Sequence, residues 1–437
     1  MIRELEVRMK NQRTGEGGQI IVILAIALVA ILGITALALD GSLVLNDRRD
    51  DQSIADSTAL ASASAAVQIL KDYPPNQFYC GSILANNATT AAILAGKQFA
   101  LSEGITLIDN DSTNGISVTC SVKSYRTFLD IKITVSSTRE TTFAKIVGRD
   151  ELTTKIEATS RVFPKETLAF GNGIASLSNS CGNIGGITVN GTGSIDVIGA
   201  GIFANSCLTG SGTIDIVVEG GQISYYTAYS PPSAGSISPA PTQVTERLPL
   251  FTVPIPDCTK VPYYDSPVSV TSGRTIDPGN YSNIKLSSSD TLIMNPGLYC
   301  MTGDFTTTGQ AHVIGQGVTI YFKSGTFDTA GTSIINIQAP NCENSLCGVP
   351  PAIRGILIYM SPSNNSKIKF TGTSDSEFMG TIFAPGGSIS VTGSGGLVTL
   401  NTQLIANKVD VSGTADISLN LNGAEIYQTP SSIQLLK

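Results

Sequence analysis

Ile368-Lys369-Phe370-Thr371-Gly372-Thr373 returns as Ile389-Ser390-Val391-Thr392-Gly393-Ser394. It returns again as Val409-Asp410-Val411-Ser412-Gly413-Thr414, at spacings of 21 and 20 residues. Residues 187–192 (ITVNGT) have the same form. A second series keeps nearly the same step: Thr381-Ile382-Phe383-Ala384 becomes Gln403-Leu404-Ile405-Ala406, 22 residues on. Residues 305–309 (FTTTG) and 327–331 (FDTAG) are also 22 apart. Apolar and polar residues alternate within each unit, which is the period of a strand with one buried face. Gly, Ser or Thr closes each unit, as a turn requires. A step of about 20 residues made of short strands and turns belongs to a solenoid, in which each coil buries its apolar side against its neighbours. From about residue 174 the expectation is therefore a right-handed parallel β-helix. A β-sandwich also spaces strands closely, but recurrence of one unit in one register favours the solenoid.

Working outward, residues 231–267 break the pattern with nine prolines, at 231, 232, 239, 241, 249, 254, 256, 262 and 267. Proline has no amide donor for a strand ladder, so this stretch reads as extended linker or loop. On its N-terminal side the solenoid is preceded by a small α+β region. Residues 87–102 read as a helix. Ile116, Val118 and Cys120, then Leu129, Ile131, Ile133 and Val135, alternate as paired strands. A short helix over 142–147 and a strand over 152–162 follow. The loop 109–115 (DNDSTNG) is rich in calcium-loop residues, but its Gly falls one place late for an EF-hand, and the reading is a solvated turn.

Residues 20–39, IIVILAIALVAILGITALAL, hold no charge. Twenty helical residues reach about 30 Å, the thickness of a bilayer's hydrocarbon core. Arg3, Arg8, Lys10 and Arg13 precede the run; Arg48 and Arg49 follow it. That bias places the N-terminus in the cytoplasm and residues 40–437 outside it. A cleaved export signal is the competing reading, with Ala36-Leu37-Ala38 as the small-residue site. Helical spacing continues past the run: Ala55, Ala59, Ala63 and Val67 recur every four residues, and Leu70 follows. Pro74-Pro75 ends that helix. Its small-residue stripe suits either packing on its own domain or close approach of another helix.

All eight cysteines lie beyond the apolar run. An even set in an exported chain points to disulfides. Pairing sequence neighbours gives Cys80–Cys120, Cys181–Cys207, Cys258–Cys300 and Cys342–Cys347. No CxxC occurs, and His312 is the only histidine, so zinc-type ligand sets are scarce. The net charge of −7 argues against a nucleic-acid partner.

Polysaccharide-cleaving β-helices cluster carboxylates on one face. Here Asp196, Asp215, Asp304, Asp328, Asp410 and Asp416 are scattered and read as turn formers. Asp304 and Asp328 fall at similar places in successive units, where a cation is conceivable. His312 reads as an ordinary solenoid position. No catalytic, cofactor-binding or metal-ligating residue is expected, and no cofactor.

The N-terminal third resembles the TadG-like family of tight-adherence (Flp) pilus assembly proteins. Two places carry the resemblance. The first is Gly18-Gln19 entering the span, then Ala38-Leu39-Asp40, then residues 50–61 (DDQSIADSTALA). The second is the strand 131–135, then Phe143-Ala144-Lys145-Ile146-Val147-Gly148, then the strand 153–158. Residues 296–300 (PGLYC) and 317–321 (GVTIY) are similar to domains attached to such anchors. The Asp-x-Ser-x-Ser metal motif of von Willebrand type A domains, present in some members, is absent.

The resemblance implies a single-pass protein of the cytoplasmic membrane. Its parts are a cytoplasmic N-terminus (1–19), a transmembrane helix (20–39), a TadG-like α+β stalk (40–165), first solenoid coils (166–230), a Pro-rich linker (231–270), the main solenoid (271–428) and a tail (429–437). The implied role is structural, in pilus assembly or adhesion. Its partners would be membrane lipid through 20–39, other pilus-assembly membrane proteins through the helix 41–71, and a surface polysaccharide or protein ligand. The alternatives are a stand-alone adhesin and a membrane-tethered enzyme acting on polysaccharide.

Overall fold

The computed structural model describes residues 17–436 apart from 74–76, 250–251, 265–266, 271–272, 342–349, 373–375, 394–397, 415, 422 and 424. The basic residues before the span, Pro74-Pro75 and the pair Cys342 and Cys347 therefore lie outside the described residues.

One helix, α1 (Gly17–Leu70), carries the apolar run and continues through the alanine stripe without a break. Its apolar residues from Ile20 to Leu39 are largely exposed, as a segment suited to lipid is. Helix α2 (Ile83–Ser102) starts four residues earlier than its apolar pattern suggests, because the Ser82 hydroxyl accepts the amide of Ala85 and caps it. Strands β1 (Ile108–Asp109), β2 (Gly115–Lys123), β3 (Arg126–Glu140) and β4 (Glu151–Phe163) form a sheet beside the helices. Strands β2, β3 and β4 pair antiparallel, as their alternation implies.

The solenoid has about ten turns of parallel strands. Its repeats stack as the sequence suggests. Residues 368–372 pair with 389–393, those with 409–413, and those with 187–191. Thr381–Ala384 lies on Gln403–Ala406, and Phe305–Thr307 on Phe327–Thr329. Inward Ile, Val, Leu and Phe side chains make one continuous core. The closing glycines form their own column. Gly191 and Gly413 have φ of +141° and +142°, and a Cβ on either would run into the carbonyl oxygen of the glycine in the next coil.

The order of coils departs from the order of the sequence. The coil containing 403–420 is followed in the stack by the one containing Asn172–Ile198, not by a later segment. The chain enters at mid-height near residue 172 and coils outward to Thr242–Gln243 at one end. It reappears at the opposite end, at Tyr263–Tyr264, and coils back to Ile417–Asn420. The Pro-rich stretch, read as an extended linker or loop, is the return path between the two ends. Ile237–Ser238 and Thr242–Gln243 within it pair with the last coils. Leu248 and Val253 are buried against an outward apolar column of Phe203, Ile405, Phe383, Tyr359 and Tyr321. Asn205 fixes one end of this strap, donating to the Leu248 carbonyl and accepting its amide. The Tyr359 hydroxyl donates to the Val253 carbonyl.

Residues 429–437, expected as a tail, are mostly a strand. Ser432–Leu436 pairs antiparallel with β4 and completes the sheet beside the membrane helix. Gln428–Thr429 pairs with β5 (Glu166–Thr167). The solenoid is thus joined to the anchor domain where the chain enters and again where it leaves.

Candidate membrane-anchoring site

Asp40 follows the apolar run directly, and the residue is only 4% exposed. It accepts the backbone amides of Thr142, Phe143 and Ala144, at 3.2, 2.9 and 2.7 Å. These open the 3-10 helix Ala144–Val147, whose first amides have no partner within the helix. A carboxylate is the natural acceptor there, since charge-assisted bonds to amides are strong. Gly148 ends the turn in left-handed backbone at φ +79°. The acid at the end of the apolar run and the FAKIVG segment, about a hundred residues apart in sequence, are one structure.

Further along α1 the contacts repeat on one face. Asp47 pairs with Arg139 at 2.9 Å. The Ser137 and Thr154 hydroxyls both donate to Asp51. Ala55, Ala59 and Ala63 are fully buried against the sheet, and the Ser160 hydroxyl donates to the Ala59 carbonyl. Helix α2 approaches closely at Gly96, where a Cβ would strike Ser62 and Ile116. The small-residue stripe is therefore occupied within its own domain. Of the two uses that the stripe suited, packing on its own domain is the one observed.

The three expected disulfides that fall within the described residues are present: Cys80–Cys120, Cys181–Cys207 and Cys258–Cys300. The first ties the start of α2 to β2. The second closes a solenoid turn. The third pins the strap to a coil.

Of the scattered aspartates, expected as turn formers, Asp304 and Asp416 lie outside strands and Asp215 opens one, whereas Asp196, Asp328 and Asp410 are strand residues. Asp215 accepts the amide and hydroxyl of Ser236 in the next coil, and Asp416 does the same for Ser194. Asp304 accepts the Thr326 amide, whereas Asp328 lies opposite Thr306 and faces Lys369 at 3.5 Å. Asp304 and Asp328 are thus two positions out of step and make no shared cation site. Asp410 pairs with Lys408 at 2.9 Å. Burial, then the charges of Asp416 and Glu219, hold the Asp196 carboxyl above its ordinary value. His312 is a half-buried strand residue whose amide bonds to the carbonyl of Asp290. In the loop 109–115, Asp111 accepts from Thr113 and Asn114, a closed turn. Among the described residues no group of three metal-ligating side chains converges.

The partner of Asp40 was beyond sequence reasoning. The signal available was an acid directly after an apolar run together with an exposed loop ending in Gly, but nothing local joins the two. No curated protein and no solved structure matches the chain. Residues 18–65, the span and the length of α1 that Asp40, Asp47 and Asp51 clamp to the sheet, match the family described as putative Flp pilus-assembly TadE/G-like, so the chain carries a TadE/G-like domain at its membrane helix.

Proposed function

We propose that this protein is a membrane-anchored, non-enzymatic structural component of Tad/Flp-type pilus assembly or of surface adhesion. The observation that carries the proposal is the TadE/G-like match falling on the helix that both suits a bilayer and holds the domain behind it. The helix sits in the cytoplasmic membrane with its N-terminus inside, and the disulfide-bonded solenoid lies outside. Partner membrane proteins meet the lipid-facing length of α1 or the outer face of α2, because the alanine stripe is taken. A structural role is also supported by the solenoid carboxylates, since Asp215, Asp304, Asp410 and Asp416 are each committed to a cap or an ion pair.

The test is a clean gene deletion, with surface pili counted by electron microscopy and the intact gene restored. Lost or unanchored pili, recovered on restoration, are the expected result. Normal pili with altered attachment would leave an independent adhesin. Glycan turnover by the purified full chain would overturn the non-enzymatic part.

A further inference from the structure

The apolar run ends at Leu39, but α1 stays uncharged for longer. Between Ile20 and Asn46 the only charged residue is Asp40. Leu43 and Leu45 are exposed, and at about 1.5 Å of rise per residue they lie about 6 and 9 Å past Leu39 along the axis. A bilayer has only about 5–7 Å of headgroup region on each side of its hydrocarbon core. With α1 as the span, Asp40 therefore sits at the edge of the core or inside it, whichever part of the uncharged stretch fills the core. A bare carboxylate at that depth is costly. This one is covered by the amides of Thr142, Phe143 and Ala144.

Those bonds also fix where the β3–β4 connection, residues 141–150, lies. Ser137 is beside Asp51 and Arg139 beside Asp47, so β3 runs back along α1 toward the span. The connection then reaches Asp40, at the end of the apolar run. Within it Ala144 is buried, but Phe143 is 39% exposed. A single exposed apolar residue is ordinary on a protein surface. This one has its amide 2.9 Å from the carboxylate that ends the span, beside exposed Leu39 and Leu43 on the helix. Its surface continues the surface that α1 offers to lipid, and an apolar ring at that level gains by leaving water for the acyl chains. The charges nearby are mixed. Lys145 pairs with Glu140, and Arg149 precedes Asp150. The attraction is therefore apolar and needs no anionic lipid.

We infer that the β3–β4 connection is a second membrane contact: held by Asp40, it lies in the interface beside α1 and buries Phe143 among the acyl chains just below the headgroups. The inference rests on α1 spanning the bilayer, and it holds for either orientation, because the connection belongs to the domain on its own side of the span. A lipid contact beside the helix axis sets the rotation and depth of α1.

Tryptophan is absent from the chain, so one substitution places one fluorescent reporter. Phe143→Trp is compared with Leu32→Trp in the span and with Leu60→Trp, both at exposed positions, the latter about 30 Å past Asp40 on the same helix. Each full chain is reconstituted in phosphatidylcholine vesicles brominated either near the headgroup or deep in the acyl chain. Phe143→Trp should emit to the blue and lose most intensity to the shallow bromines. Leu32→Trp should lose most to the deep ones, and Leu60→Trp should respond to neither. Quenching of Leu32→Trp without quenching of Phe143→Trp overturns the inference and leaves the span standing. Quenching of neither removes the span, and the inference falls with it. Blue-shifted emission from Phe143→Trp that bromine leaves untouched puts a protein surface over the ring and overturns the inference equally. If Phe143→Trp loses its circular dichroism, Thr142→Trp on the same connection is read in its place by the same criteria.

Discussion

Gly413→Ala puts the glycine column to a quantitative test. Gly413 closes one repeat at φ +142°, and an added Cβ would drive into the carbonyl oxygen of Gly393 in the adjoining coil. Two costs follow. An alanine forced into that backbone region costs on the order of 1–3 kcal/mol. Overpacking against a neighbour adds about 1–3 kcal/mol, and this neighbour is backbone, held by strand pairs on both sides. The sum is about 4 kcal/mol. Gly182, also in the solenoid, is the control: its φ is +79°, but nothing lies within 4 Å of its ideal Cβ. Gly182→Ala should meet only the conformational cost, about 1 kcal/mol. For a unit of this size each kcal/mol shifts the melting temperature by about 2–4 °C. Circular-dichroism melts of the full chain in detergent should therefore show a fall on the order of 10 °C for Gly413→Ala and about 3 °C for Gly182→Ala. Equal shifts would mean that the column is a matter of backbone angle alone, and that the close stacking of repeats does not select glycine.

Three further outcomes are expected. Asp40→Ala removes the acceptor of three amides, so hydrogen exchange over 142–148 should quicken in that variant while the solenoid strands keep their protection; unchanged exchange in that loop would show the cap to be dispensable. Replacing Cys258 and Cys300 together by Ser opens a loop spanning 42 residues, for which loop entropy gives about 4 kcal/mol, read as an earlier urea midpoint with strap residues cut first by protease. The Ser236 hydroxyl, then its amide, hold the Asp215 carboxyl below its ordinary value; the stabilisation is present above the unfolded carboxylate pKa and lost as pH falls through the folded one, so Asp215→Asn should flatten the acid limb of a stability–pH curve.

What was legible in the sequence was whatever depends on neighbours. The apolar run, the period of two and the IxFTG unit are local, and the strand registers follow from them residue for residue. Disulfides between sequence neighbours were legible for the same reason. Coil order was not. Parallel coils stack by matching inward apolar positions, and the inward face of 187–191 fits that of 409–413 as well as it would fit any other copy. Nothing within a repeat says which copy lies next to it. The strap left a signal that alternation alone overlooks. Gly297–Met301, Val318–Phe322 and Ile356–Met360 are buried at every position, so both faces of those strands are covered. Near-continuous apolar runs of this kind imply an outer cover. Of the anchor site, the helix was plain, but the fate of its alanine stripe depended on a sheet more than 60 residues away.

The proline positions acquire a meaning once the path of the chain is known. Pro231, Pro232, Pro239 and Pro241 fall at one end of the stack and Pro262 and Pro267 at the other, while Pro254 and Pro256 lie along the strap between Val253, held by Tyr359, and Cys258, joined to Cys300. An open solenoid end is a row of unpaired strand groups, a template for joining another copy, and proline is one of the means by which edges are blunted. The same segment thus covers the apolar column along its length and interrupts both ends. The C-terminal strand has a matching effect on the tether. A domain hung from one linker is free to swing; this one leaves the anchor at residues 164–172 and returns to it at 428–436, with pairs to both β5 and β4. The stack has no free terminus inside it, so a local opening of one coil leaves the rest attached on both sides. For a protein fixed in a membrane by one helix, that double attachment carries the helix's fixed position into the solenoid.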